Sequence, residues 1–238
     1  MGLKLGDKFP DFKCETSQGP IESFHEWIGE GNWVILFSHP ADFTPVCTTE
    51  LARVAQIHGQ FEARKTKLIA LSCDSVDTHL KWIPDIVAYR CCHSKAPESD
   101  CHQDKKAETL PYPIIADEKR ILATQLGMLD PDEKDAAGIP LAARAVFIVD
   151  PSRHLKLSIL YPATTGRNFD EILRVLDSLQ LTAHKKVATP ADWKQGNDCM
   201  VIPSLTDDEA TTIFGKGNVK PLSLPSGKHY LRLTPQPE

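Results

Sequence analysis

Three short apolar runs stand out along the chain, at residues 33–38, 67–72 and 145–150. Each is rich in Val, Ile, Leu or Phe and is bounded by turn or polar residues, which predicts buried strands. Residues 112–116 and 155–161 are weaker strand candidates. Between the runs the apolar spacing changes to a helical period. Residues 48–64 carry Leu51, Val54, Ala55, Ile57, His58 and Phe61, and residues 75–89 carry Val76, Leu80, Ile83 and Val87. Pro84 lies inside the second stretch and is expected to kink or split it. Residues 118–126 predict a third, short helix. The clearest helix is 168–181: Asn168 is placed as N-cap, Asp170 and Glu171 fall in the first turn, and Ile172, Leu173, Val175, Leu176 and Leu179 form the stripe.

Strands alternating with helices predict an α/β fold, a central sheet with helices on both faces. The step from 145–150 to 155–161 passes through Asp150-Pro151-Ser152-Arg153, short enough only for an antiparallel hairpin, so the sheet is expected to be mixed. After residue 186 the texture changes. Pro190, Pro203, Pro221, Pro225, Pro235 and Pro237 break the chain into short segments. Residues 198–202 and 229–233 read as short strands, and 206–214 as a helix opened by the capping-box pair Thr206 and Glu209. The expected organisation is a main domain over 1–186 and a smaller C-terminal extension over 187–238. The extension is expected to be too broken for a core of its own and to pack on the main domain or on a second subunit.

Composition narrows the function. The 238 residues suffice for one or two domains at roughly 150 residues each. With 27 basic and 32 acidic residues the formal net charge is −5, which gives no electrostatic case for nucleic acid or for an anionic membrane. No apolar run approaches the ~20 residues that span a bilayer, and the first residues lack a secretory apolar core, so a cytoplasmic protein without an integral membrane segment is expected. The seven cysteines, Cys14, Cys47, Cys73, Cys91, Cys92, Cys101 and Cys199, are an odd set in a chain with no export signal. Free thiols are expected rather than a disulfide framework.

Cys47 is the thiol that matters. It lies where the strand 33–38 gives way to the helix 48–64, in or just before the first helical turn. Exposed N–H groups and the positive end of the helix dipole favour a thiolate at such a place. Thr44 lies one turn earlier, and Pro40 and Pro45 stiffen the entry loop. Position alone leaves two readings open: a reactive thiol, or a buried cysteine near a helix start.

The segment Pro40-x-x-x-Thr44-x-x-Cys47, inside Phe37-Ser38-His39-Pro40 and Asp42-Phe43-Thr44-Pro45-Val46-Cys47-Thr48-Thr49-Glu50-Leu51, resembles the active-site pattern of the peroxiredoxin family, in its one-cysteine peroxiredoxin-6 class. Further blocks resemble that class in order: residues 126–131, 143–147, 157–169, 188–193 and 230–232. The resemblance implies a thioredoxin-like fold and a thiol-dependent peroxidase that reduces hydrogen peroxide and organic, including phospholipid, hydroperoxides. Cys47 would become a sulfenic acid, Pro40 would shield the sulfur, and the Thr44 hydroxyl and Arg144 guanidinium would carry the charge on the leaving oxygen. Arg144 opens the strand 145–150; without the resemblance it reads equally as a surface arginine. His39, Glu50 and Arg167 are supporting candidates, His39 also reading as a histidine bonded to backbone at a strand end. No cofactor and no metal is implied. The class further implies a homodimer, and an external thiol as reductant, with glutathione delivered by a glutathione transferase. No Val-Cys-Pro segment is present to supply a resolving cysteine of the chain's own.

Two departures stand out. The class is associated with a phospholipase activity built on a serine just before a tryptophan and a nearby histidine. Here Asn32 precedes Trp33, although His25 is present, so a serine-type mechanism lacks its nucleophile. The stretch 89–106 holds Cys91, Cys92, His93, Cys101 and His102, more cysteine than the family leads one to expect. A polar surface loop, a metal site and a redox role all remain open there, although the ligands are crowded for zinc.

Overall fold

The computed structural model describes residues 2–92 and 109–238, so most of the cysteine-rich stretch lies outside the described residues. The chain divides into two compact units, Met1–Phe169 and Asp170–Glu238. Along the first run β1 (Glu15–Thr16), α1 (Phe24–Ile28), β2 (Trp33–Ser38), α2 (Pro45–Gln56), α3 (His58–Glu62), β3 (Thr66–Ser72) and α4 (Val76–Cys92). There follow β4 (Ile114–Ala116), α5 (Ile121–Gln125), β5 (Leu129–Lys134), β6 (Pro140–Ala142), β7 (Arg144–Val149) and β8 (Leu155–Tyr161). After α6 (Phe169–His184), the second unit holds β9 (Val187–Ala188), β10 (Cys199–Val201), α7 (Asp207–Phe214), β11 (Lys220–Pro221) and β12 (Arg232–Thr234).

The main sheet has the order β1-β4-β3-β2-β7-β8. Strands β2, β3 and β4 run parallel, while β1, β7 and β8 add antiparallel, so the sheet is mixed, flanked by helices in the thioredoxin-like manner. Every residue of β2 and β7 is buried, as their unbroken apolar runs require. Phe9, Phe24, Val34, Leu36, Ile69 and Phe147 lie at the centre of the core.

Several expected elements are redrawn. The single helix over 48–64 is two, because the chain breaks at Ile57 (φ −103°, ψ 11°), two residues before Gly59. Its start moves back to Pro45, where a missing N–H costs no helical bond. Pro84 does not split α4, which runs through it to Cys92. The buried face of α4 is also different: Leu80 is 51% exposed and His79 takes the inner position, with Trp82, Ile83 and Ile86. The histidine can be buried because both its ring nitrogens are bonded. The hairpin of β5 and β6 has no apolar signal in its charged sequence and escapes sequence reading.

Helix α5 is shorter than expected because its start is set from outside. Arg120 adopts a left-handed conformation (φ 56°), and the Asp117 carboxylate then accepts from the N–H groups of Ile121 (2.9 Å), Leu122 (3.2 Å) and Ala123 (2.7 Å). Three of the four orphan donors of a helix start are met by one side chain.

The second unit carries a four-stranded antiparallel sheet, β11-β12-β10-β9. It corrects the expectation of a coreless tail. Trp193 is buried with Val187 and Cys199 against Leu181, and Val201, Leu205 and Ala210 form a second small cluster. Buried Arg232 binds Asp207 (2.8 Å) and the carbonyls of Ile202 (3.1 Å) and Leu205 (2.7 Å). The Thr206–Glu209 capping box opens α7 as the spacing predicts. Among the described residues no helix is long and apolar enough to cross a membrane.

Replacing Asp117 with Ala should lower stability by about 1–2 kcal/mol, the usual loss for a helix cap, and Asp117→Asn should recover part of it. Urea unfolding with an unchanged slope is the measurement; equal midpoints for Asp117→Ala and the parent would contradict the capping role.

Candidate active site

The site forms where β2 ends. Ser38, its last residue, donates from its hydroxyl to the Ala143 carbonyl (2.6 Å) and accepts from the Ala145 N–H (3.0 Å). This pins the end of β2 to the start of β7, where Phe37 lies opposite Val146. Arg144, the first residue of β7, is thereby held beside the chain that leaves β2 and enters α2. In α2, Thr44 is the N-cap, Pro45 the first residue and Cys47 the third, with no solvent exposure at Cys47. Arg144 Nη1 donates to the Cys47 sulfur at 3.3 Å.

Glu50, one turn beyond Cys47, governs that arginine. Its Oε2 accepts from Arg144 Nη1 (2.8 Å) and Arg167 Nη2 (2.6 Å), and its Oε1 from the Arg167 backbone N–H (2.7 Å) and Nε (2.9 Å). The guanidinium groups have further partners. Arg144 donates twice to the Ala163 carbonyl (2.9 and 2.6 Å), and Arg167 once to that of Ala145 (2.7 Å). Arg167 also lies against the rings of Phe37 and Phe169, 5.6 and 5.5 Å from their centroids. All three charged residues are buried. Burial pushes the Glu50 carboxyl up, but the bonds and charge of Arg167, with the charge of Arg144, outweigh it and hold the group below its ordinary value.

His39 belongs to a second network. Its Nε2 bonds Asp42 Oδ1 (2.9 Å), while Asp42 Oδ2 takes His79 Nδ1 (2.6 Å). The Asp42 N–H donates to Asp74 (3.0 Å), which also accepts from the Ser72 hydroxyl (2.8 Å). Burial would raise the Asp42 carboxyl, but the two imidazoles prevail and lower it. Pro40 is buried, and the Thr44 hydroxyl donates to the Ala41 carbonyl (2.9 Å). Between them Phe43 sits at φ 54°, a left-handed conformation that costs a bulky residue roughly 1–3 kcal/mol and that only over-determined surroundings maintain.

The structure thus brings Cys47, Glu50, Arg144 and Arg167 together, and ties His39 instead to Asp42. Sequence reading missed Asp42 and His79. The one available signal for His79 was its helical spacing with Trp82 and Ile83. Cys14, Cys73, Cys92 and Cys199 are also free thiols. Burial pushes Cys14 up to about 12 and Cys73 up to about 11, which makes both poor nucleophiles at neutral pH. Asn32 donates to the Ile28 carbonyl (2.9 Å), closing the end of α1, and His25 Nε2 bonds the Phe9 carbonyl (2.8 Å).

The chain is similar to known proteins over its whole length. Residues 5–158 match the AhpC/TSA family, and residues 178–217 match the C-terminal domain of 1-Cys peroxiredoxin. The 1-Cys peroxiredoxin of Dirofilaria immitis is 60% identical over 238 residues, covering 100% of this chain and 99% of that protein. Among solved structures, a cysteine-to-serine mutant of the peroxiredoxin 6 of Arenicola marina superposes with a TM-score of 0.89 at 54% identity, covering 100% of both chains. The yeast mitochondrial 1-Cys peroxiredoxin, whose thiol is resolved via glutathione/thioredoxin systems, does so with a TM-score of 0.78 at 35% identity, covering 98% of this chain and 99% of that one. A buried cysteine in the first turn of α2, an arginine donating to its sulfur and a family match across nearly the whole chain lead to one conclusion: this protein is a peroxiredoxin of the one-cysteine class.

Proposed function

We propose that Cys47 is the nucleophile with which this peroxidase reduces hydrogen peroxide and organic hydroperoxides, phospholipid hydroperoxides among them, and that an external thiol such as glutathione regenerates it. The observation that carries the reading is the Arg144 guanidinium, 3.3 Å from the Cys47 sulfur and itself clamped by Glu50. The Cys47 sulfur, as thiolate, attacks the distal peroxide oxygen. The S–O bond forms as the O–O bond breaks, and the sulfur becomes a sulfenic acid. The leaving oxygen takes a proton and departs as water or alcohol. Arg144 is placed to stabilise the charge on that oxygen, and being an arginine it stays charged at any working pH. The Thr44 hydroxyl, engaged with Ala41 at rest, serves the same oxygen once it rotates away, and Pro40 shields the sulfur. One thiol of the reductant then displaces the sulfenic oxygen as water, giving a mixed disulfide, and a second thiol releases Cys47 and leaves as the oxidised pair. Glu50 and Arg167 are positioning residues that hold Arg144 to the sulfur.

A cytoplasmic location and a homodimer, with the chain beyond residue 186 lying along the partner, complete the proposal. The edge strand β8 supports the dimer: it ends the main sheet, so a lone subunit leaves one side of it unpaired, with Leu160 57% exposed. Sedimentation at micromolar concentration should give twice the 26.4 kDa of the chain, and a mass of one chain would rule the dimer out.

With reduced protein in a single turnover, hydrogen peroxide should be consumed stoichiometrically and the intact chain should gain one oxygen. Cys47→Ser should abolish both; consumption that survives the substitution would overturn the assignment. Glu50→Gln should slow the same step by about tenfold or more, because a loosened arginine no longer meets the reacting oxygen. It should also cost about 3–5 kcal/mol of stability near pH 7, since two buried guanidinium groups lose their counter-charge. Because the Glu50 carboxyl is depressed when folded, its contribution is complete above its ordinary value of 4.5 and is lost as pH falls through the lower, folded value. The stability gap between the parent and Glu50→Gln should therefore narrow below about pH 4.5, and a gap that widens on acidification would refute the sign.

A further inference from the structure

The mechanism above leaves one buried polar chain unused: His39, Asp42 and His79, all nearly inaccessible to solvent. His79 projects from α4 with its Nδ1 2.6 Å from Asp42 Oδ2 and its Nε2 3.3 Å from the Ile115 carbonyl of β4. A carboxylate and a carbonyl can only accept. His79 is therefore held at both ring nitrogens, between the Asp42 carboxylate and the backbone of β4. Asp42 spends its other oxygen on His39 Nε2, which makes that nitrogen a donor. His39 Nδ1 is then a buried atom with no partner.

The network grips the loop that the reaction depends on. Residues 39–44 leave β2, carry Pro40 and Thr44, and end at the N-cap of the Cys47 helix. Three contacts tie this stretch to the inner face of α4. His79 holds Asp42; the Trp82 ring lies 5.2 Å from His39 and 6.3 Å from Phe43; and Trp82 Nε1 donates to Thr48 (3.2 Å), whose hydroxyl donates to the Thr44 carbonyl (2.9 Å). On the β3 side, Asp74 takes the Asp42 N–H. The left-handed Phe43 lies in the middle of these restraints, so its conformation is imposed by them and would relax without them.

We propose that His79 is a positioning residue of the peroxide reaction: bonded at both ring nitrogens, it fixes Asp42 between α4 and β4 and so sets the loop that carries Pro40 and Thr44 at the head of the Cys47 helix. The proposal rests on the assignment of Cys47 as nucleophile and adds to it a control point on a different helix. His79 touches neither sulfur nor peroxide. Its effect reaches the chemistry through the geometry of the loop, where a shift of about 1 Å can cost up to 10²-fold in rate.

The test compares two reactions of the same thiol in the full, reduced chain. Hydrogen peroxide needs the loop in place; a small haloacetamide needs only the thiolate. His79→Leu should slow single-turnover oxidation by about tenfold or more while leaving alkylation of Cys47 within about threefold, and His79→Gln, which keeps a donor toward Asp42, should recover much of the loss. Oxidation unchanged in His79→Leu, or oxidation and alkylation falling together, overturns the proposal. A Cys47→Ser control separates the two assignments, because peroxide consumption that survives it removes the nucleophile itself. Should His79→Leu fail to fold, His79→Asn, whose shorter side chain no longer reaches both Asp42 and β4, takes its place with the same two readouts; oxidation unchanged there, or falling together with alkylation, overturns the proposal.

Discussion

Everything at this site hangs on one carboxylate. Glu50 accepts four hydrogen bonds from two arginines, and between them these three residues join α2 to the start of β7 and to the chain just before α6. A buried ionic cluster is a weak source of stability, since desolvating three charges offsets most of their attraction. Its value here is geometric. An arginine that could choose among rotamers would meet the sulfur only part of the time. One tied to Glu50 and, twice, to the Ala163 carbonyl has a single place to be. The donors are thus set before a substrate arrives, which is what makes electrostatic stabilisation of a developing charge effective.

The sheet supplies the frame on which that cluster can be built. Because β7 runs antiparallel to β2, its first residue meets the last residues of β2, and Ser38 locks the two ends together. A parallel β7 would have placed Arg144 at the opposite end of the sheet. Helix α2 starts within a few residues of the same corner, so the fold brings a helix N-terminus, a strand end and a strand start to one point. Any α/β sheet offers such corners; the chemistry comes from which side chains stand there.

Much of this could be read from the amino acids alone, and the reasons are physical. The five apolar residues before Ser38 read as an interior strand, and the run after Arg144 likewise. The position of Cys47 followed from where a strand pattern gives way to a helix pattern. Glu50 followed from one helical turn, and Arg144 and Arg167 from resemblance. What stayed hidden depends on tertiary contact. His79 is polar and Leu80 apolar, so the local pattern buries the wrong one; only the approach of Asp42, 37 residues away, reverses the choice. Asp117 capping α5 depends on the left-handed turn at Arg120, which an arginine does not advertise. The strands β9 and β11 are two residues each, too short for any period.

The cluster has a consequence for the chain's life before it is folded. Cys47 and Arg144 are 97 residues apart, and nothing local brings them together. Until β7 has docked on β2 the sulfur has no guanidinium beside it. The folding step that completes the sheet is therefore also the step that switches on the chemistry. A nascent or unfolded copy can meet peroxide at the slow pace of any free cysteine, and only closed molecules compete for it. With Cys47 as the proposed nucleophile, peroxide reactivity is in that sense tied to the integrity of one strand pairing.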